Sequence, residues 1–159
     1  MSNLVAVAIA VVFWVGASLL IGLVGSRLSL GTLRSIARVA WWLRGPSVGW
    51  YRRQLQIETW KDRLPEAGGF GGGMSKRHLL TRQRSALERM YLETVRAELV
   101  HTGLLAVQWV PVLWLHAGFR VLPVAYAVIA NLPFIAVQRY NRLRLSRIVR
   151  ADDHWSIDE

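Results

Sequence analysis

The 159-residue chain contains no cysteine. That absence excludes disulfide frameworks, thiolate zinc sites and a cysteine nucleophile. Acidic residues are scarce, ten Asp and Glu against twenty Lys and Arg, for a formal net charge of +10. No internal repeat is present. The glycine-rich stretch "GGFGGG" lacks the Gly-Lys-Ser/Thr of a phosphate-cradling P-loop, so the expected role is a flexible connector or a lid. What the chain does have is apolar residues, 53% of the total. Strong basicity and high apolar content conflict in a soluble domain, but agree in a membrane protein with a basic cytosolic face. A nucleic-acid module has no use for long apolar runs, so no nucleic-acid partner is expected.

Leu4 to Val24 carries no charge and matches the roughly 20 residues that cross a bilayer core. A signal peptide would have a basic segment before Leu4 and a shorter apolar stretch, so an uncleaved first span over residues 4–24 is expected. Ser18, Gly22 and Ser26 recur every four residues, a small-residue stripe suited to close helix approach, in one chain or in a homo-oligomer. In "SRLSLGTLRSIARVAWWLRGPSVGWYRRQ", Arg34 and Arg38 share one helical face. Leu33, Ile36, Ala37, Ala40 and Trp41 form an apolar side. With Trp41, Trp42, Trp50 and Tyr51 suited to headgroup depth, this predicts an interfacial helix over residues 28–44, stopped near Gly45-Pro46.

Residues 52–84 read as a cytosolic loop. Ser85 and Glu88 form a capping box, opening a helix over residues 85–117. It runs through Glu93, Arg96 and Glu98 into a second span, Leu99 to Ala117, kinked at Pro111. The turn "HAGFR" leads to a third span over residues 121–137 and a basic cytosolic tail, 138–159. The expected fold is a single all-α integral membrane domain with three transmembrane helices, an interfacial amphipathic helix and a cytosolic loop region. Thirteen Lys and Arg lie from Arg27 to Arg89 and five from Arg139 to Arg150, with Arg120 alone in the turn. That asymmetry puts the N-terminus outside and the loop and tail in the cytosol.

A hairpin turning near Gly118 makes residues equidistant from the turn level. Glu98 then lies near Gln138 and Arg139, and His101 between Ile135 and Gln138, with Asn131 about a turn deeper. Glu93, Arg96, Glu98, His101, Asn131, Gln138, Arg139 and Asn141 thus converge at the cytosolic boundary. Ionisable groups there are costly unless paired or functional. Two readings stand level: Glu98 ties to Arg139 and fastens the hairpin, with His101 a satisfied polar residue, or the cluster is catalytic. Glu98 and His101 are half of a carboxylate metal site; the other half is missing, so no metal is expected. His78 in "SKRHLL" is a second candidate base. His116 falls on the far side and His154 in the tail. The C-terminal arginines suit anionic headgroups, at about 1 kcal/mol each.

The blocks "WKDRLPEAGG", "SKRHLL", "ETVRAELVH" and "ANLPFIAVQRYNRLRL" resemble, in order, the motif series of the glycosyl-4,4'-diaponeurosporenoate acyltransferase family. The resemblance runs from about Arg27 to Arg150; residues 66–75 depart from the pattern. It implies a membrane enzyme that attaches a fatty acyl group to the sugar of a glycosylated carotenoid acid, the last step to a staphyloxanthin-type pigment, in a bacterial cell membrane. It also implies that Trp60, Lys61, His78, Glu93, Arg96, Glu98, His101, Asn131, Gln138, Arg139, Tyr140, Asn141 and Arg142 match motif residues.

Acyl transfer to a sugar hydroxyl needs a base, oxyanion donors and exclusion of water. The expected base is His101, because an ordinary imidazole titrates at about pH 6.5. Glu98 or Glu93 would orient it, and His78 is the runner-up base. Gln138, Arg139 and Asn141 are the expected oxyanion donors. Lys61, Lys76, Arg96 and Arg142 would hold the phosphates of acyl-CoA, a co-substrate rather than a bound cofactor, and Tyr140 joins the substrate-binding set. The acceptor would be a membrane glycolipid. The alternative is a non-enzymatic membrane subunit or lipid-binding scaffold for a partner enzyme.

Overall fold

Apolar residues at almost every position leave the first segment without a polar face. In the computed structural model, which describes residues 2–40, 45–64 and 84–155, this segment is one helix, α1 (Asn3–Arg27). Most of its circumference faces outward, with Leu4, Val12, Leu19 and Leu20 between 62% and 82% exposed. Serines start the next helices. Ser29 accepts from the Thr32 N–H (3.1 Å) to open α2 (Leu30–Val39), and Ser47 accepts from the Trp50 N–H (3.3 Å) to open α3 (Val48–Leu55). Gln56 takes a left-handed conformation (φ 45°) to end α3. The chain passes into α4 (Ile57–Trp60) and a 3-10 turn at Lys61–Arg63. Beyond come α5 (Arg84–Val107), 3-10 turns at Val110–Leu113 and Ala117–Phe119, and the long α6 (Val121–Trp155). The described residues contain no strand.

α5 and α6 form an antiparallel pair around which the rest is arranged. The chain from α5 to Leu115 lies along α1 in the opposite sense. A methyl group added at Gly25 would overlap Val100 Cγ2, and Gly103 meets Ile21. The Trp14 indole donates to the Gln108 carbonyl (2.8 Å), and Leu115 packs on Ala6 and Ala10. At the other end α2 buries Leu33 and Ala40 against Leu92 and Val95 of α5. α3 and α4 bury Val48, Tyr51 and Ile57 against Val137 and Tyr140 of α6. Fully burying one large aliphatic side chain stabilises by about 1.5–3 kcal/mol, so the α2 and α3–α4 contacts are substantial anchors for the basic end.

Several expectations change. Two described helices, not three, are long and apolar enough to cross a membrane, Asn3–Arg27 and the segment Ala117–Ile148. The predicted second span breaks because Pro111 has no N–H and its ring clashes with the carbonyl four residues back, that of Val107, where α5 ends. Pro133 lies inside α6, which continues through it. The small-residue stripe holds only in part, since Ser18 meets Gln108 but Gly22 does not face a neighbour. A methyl group added at Gly22 would meet nothing within 4 Å, whereas Gly25 and Gly103 are the close approaches.

The predicted interfacial helix is shorter, 30–39 rather than 28–44. Its apolar side meets α5, and Arg34 pairs with Glu88 (2.7 Å). Glu88 is thereby drawn away from the expected capping box, and Ser85 lies inside α5. Part of the expected 52–84 loop is helical, because Ile57 has a hydrophobic partner in α6. The expected tail is helix too, since no Gly or Pro interrupts residues 138–155 and Tyr140 is anchored by α3 and α4. Trp41, Trp42 and the glycine-rich loop lie outside the described residues.

Candidate functional site

Regular helical rise on both arms of the α5–α6 pair brings two polar groups together at adjacent levels. The first is ionic. Glu98 is fully buried; its Oε1 accepts from Arg139 Nε (2.6 Å) and its Oε2 lies 2.6 Å from Arg142 Nη2. Arg142 is itself 4% exposed. One buried carboxylate therefore faces two guanidiniums, Arg139 and Arg142 being three apart on one face of α6. A buried charge without such partners is strongly destabilising. Tyr51 closes the group from α3, in contact with Arg139. Burial pushes its phenol above the usual range, against the lowering pull of Arg139, so the phenol stays neutral. Gly45, at φ 58°, packs on both: a methyl there would stand 3.1 Å from Tyr51 Oη and 3.5 Å from Arg139 Cδ.

The second group is neutral. His101 Nδ1 lies 3.1 Å from Asn131 Oδ1, and the His101 ring stacks on Phe134 at 4.5 Å with an interplanar angle of 8°. Asn131 Nδ2 donates to Gln108 Oε1 (2.7 Å) and to the Ala127 carbonyl (2.8 Å). Gln108 Nε2 donates to Ser18 Oγ (3.3 Å). Asn131 and Gln108 are 1% and 2% exposed, so each amide needs the partners it has. The chain Ser18–Gln108–Asn131–His101 ties α1, the end of α5, and α6 together.

The other predicted residues divide. Arg96 pairs with Glu93 (2.9 Å) and donates to the Gly25 and Ser26 carbonyls (2.6 and 3.1 Å), capping the C-terminus of α1. Glu93 and Glu98 are thus both engaged with arginine, and the residue hydrogen-bonded to His101 is Asn131 instead of either. Tyr140 is fully buried and donates to Glu58, which also pairs with Arg52 (3.0 Å). Lys61 pairs with its neighbour Asp62 (2.7 Å). Gln138 and Asn141 are half-buried on α6. They share a face with Phe134 at spacings of four and three, beyond the ring that covers His101. Lys76 and His78 lie outside the described residues. Sequence reading missed Gln108, Ser18, Phe134 and Tyr51. A lone amide inside the apolar run before Pro111 was the signal for Gln108.

Among the described residues, these features define an all-helical architecture with two membrane-length helices and a buried polar junction where α5 meets α6. Residues 38–151 match the family model described as glycosyl-4,4'-diaponeurosporenoate acyltransferase. The chain belongs to that family. Among curated relatives, the glycosyl-4,4'-diaponeurosporenoate acyltransferases of Staphylococcus aureus strains N315 and MRSA252 are 34% and 35% identical over 104 residues. The alignment spans 63% of this chain and 61% of each relative. No solved structure matches the chain. The family match contains His101, Gln108, Asn131 and the Glu98 cluster, while α1, which supplies Ser18, lies outside it.

Proposed function

We propose that the protein is a membrane O-acyltransferase that moves a fatty acyl group from acyl-CoA to a sugar hydroxyl of a glycolipid such as a glycosylated carotenoid. The observation that carries this reading is His101, held by Asn131 and Phe134 beside a charge-compensated cluster, in a chain of this family. α1 and α6 cross the bilayer, and the second half of α5 with the broken segment to Leu115 returns the chain along α1 between them. The arginine-rich end faces the cytosol and the N-terminus the outside.

In the reaction the imidazole of His101 takes the proton of the acceptor hydroxyl as its oxygen attacks the thioester carbonyl. Gln138 and Asn141 donate to the oxyanion of the tetrahedral intermediate. That intermediate collapses with release of the CoA thiolate, which receives the proton back from the imidazolium. Arg139 and Arg142 act through Glu98, fixing the relative height of α5 and α6 and so the distance from His101 to Gln138. Arg96 caps α1 in this reading, with both sides of its guanidinium engaged by Glu93 and the Gly25 carbonyl. Lys61 and the exposed arginines of α3 and α6 remain for the phosphates of the donor.

The test is incubation of the detergent-purified protein with isotope-labelled acyl-CoA and a total glycolipid extract of its host, read by lipid mass spectrometry. A lipid that gains the labelled acyl mass with wild type, and not with His101→Ala, supports the reading and names the acceptor. Equal gain with both proteins keeps the enzyme and removes His101 as base. No gain with any donor favours a non-enzymatic lipid-binding subunit.

A further inference from the structure

Ala127 and Asn131 lie one turn apart on α6, so the helix itself brings the Ala127 carbonyl within reach of the Asn131 side chain. That carbonyl oxygen only accepts, so the Asn131 atom that meets it at 2.8 Å is the NH2 nitrogen. The amide oxygen, Oδ1, is thereby turned to His101 Nδ1 at 3.1 Å. Two acceptors cannot share a hydrogen bond, so Nδ1 carries the proton. In the neutral ring the lone pair is then on Nε2, the nitrogen turned away from Asn131. Phe134, three residues further along α6, stacks on the ring at 4.5 Å and holds its plane. The bond from Asn131 to Gln108 at 2.7 Å follows from this orientation and is not needed to set it. Glu93 and Glu98, the carboxylates close enough in sequence to orient the ring, are both paired with arginine.

From this geometry we infer that Asn131 is a positioning residue and not a substrate-binding one. Anchored on its own helix by the Ala127 carbonyl, it holds His101 in the Nδ1–H tautomer and makes Nε2 the nitrogen that takes the acceptor's proton. Asn131 does not reach the reacting atoms. It is 1% exposed, and both ends of its amide are engaged within the protein. A carboxylate at this position would also accept from Nδ1, but ionised it would oppose the Ala127 carbonyl oxygen in a buried setting. An amide accepts from the ring and donates to the anchor at once. The catalytic weight of this role rests on the acyltransferase reading above, whereas the tautomer itself does not.

The experiment is nitrogen NMR of the detergent-solubilised full chain labelled with 15N-histidine, at a pH where the imidazole is neutral. The chain has four histidines, and His101→Gln identifies the signals of this one. Wild type should show a protonated, pyrrole-type Nδ1 and an unprotonated, pyridine-type Nε2. Asn131→Leu removes the acceptor and should let the Nε2–H tautomer appear. The double variant Asn131→Leu/Gln108→Leu avoids leaving the Gln108 amide unpaired and should give the same mixture. Gln108→Leu alone keeps the Ala127 anchor and should retain the single Nδ1–H tautomer. Circular dichroism confirms helix content for each variant.

In the transfer assay Asn131→Leu should lower kcat on the order of tenfold, inside the ~10²–10⁴ contributed by a general base. KM should stay within about twofold, as expected for a residue that does not bind substrate. A protonated Nε2 in the wild type overturns the inference, and that measurement does not depend on any variant folding. An unmixed Nδ1–H signal in folded Asn131→Leu or in the double variant overturns it equally. A mixture in Gln108→Leu contradicts the Ala127 anchor. A raised KM with unchanged kcat in Asn131→Leu returns Asn131 to substrate binding. The two claims separate cleanly: a single Nδ1–H tautomer in a protein that transfers nothing upholds the assignment and removes the acyltransferase reading. Transfer by a protein whose His101 carries its proton on Nε2 retains the enzyme and removes the role of Asn131.

Discussion

The Glu98 cluster and the His101 chain sit one turn apart on α5 and reach the same helix, yet they are built on opposite principles. Around Glu98 everything is charged and closed: a fully buried carboxylate is held by Arg139 and Arg142 at 2.6 Å each. Around His101 everything is neutral and directional, and it ends on a ring nitrogen left over. Under the proposed function the contrast is one between a fastening and a working part. An ion pair so enclosed is costly to disturb and has little left to offer a substrate. A neutral imidazole with one nitrogen committed and one spare suits proton transfer.

Breaking the fastening should have the largest effect. Glu98→Ala leaves two guanidiniums facing each other without their carboxylate, and the expected loss is about 3–5 kcal/mol. It should appear as a fall in the thermal midpoint and in recovered folded protein, with activity lost as a consequence. His101→Ala should do the reverse, lowering transfer by about 10²-fold or more while the midpoint moves little. If both variants lose stability alike, the distinction between the two groups collapses.

Smaller effects sharpen the picture. Gly25→Leu forces a side chain into Val100 where α1 and α5 touch, an overpacking expected to cost about 1–3 kcal/mol; Gly22→Leu, on an open face, should be near neutral in the same unfolding measurement. Arg34→Ala removes a pair whose side chains are about half exposed, so a change of only ~0.2–1 kcal/mol is expected.

The smallest effect is one of pH. The hydrogen bond from Tyr140 holds the Glu58 carboxyl below its usual range, helped by Arg52. A folded-state pKa below the unfolded value adds stability above the unfolded pKa, and that stability fades as pH falls through the folded one. The midpoint difference between wild type and Tyr140→Phe should therefore be present at neutral pH and shrink in the acid range below ordinary glutamate titration. A difference that grows in acid would contradict it.

Sequence patterns reached the α5–α6 hairpin well, for a physical reason. The two arms of the hairpin rise at similar rates despite the break between Val107 and Val121, so distance from Gly118 placed Glu98 beside Arg139 and Asn131 near His101. Three things escaped that arithmetic. An amphipathic face says that a helix is covered, not by what: the apolar side of α2 read as lipid-facing, and it covers Leu92 and Val95 of α5. A proline inside an apolar run predicts trouble without saying whether the helix bends or stops. At Pro111 it stops, and at Pro133 the helix carries on. And a glutamate three residues from a histidine invites the thought that it orients the ring, when the arginines of α6 claim the carboxylate first. Only side-chain geometry shows that an amide does the orienting.

The most direct test of the account is His101→Gln, assayed for acyl transfer and thermal midpoint on the same preparation. Glutamine keeps a polar group for Asn131 but offers no basic nitrogen. The account predicts an unchanged midpoint with transfer reduced by about 10²-fold or more. Full transfer activity in a stable His101→Gln protein would contradict it, and would reduce His101 to one more member of the packing.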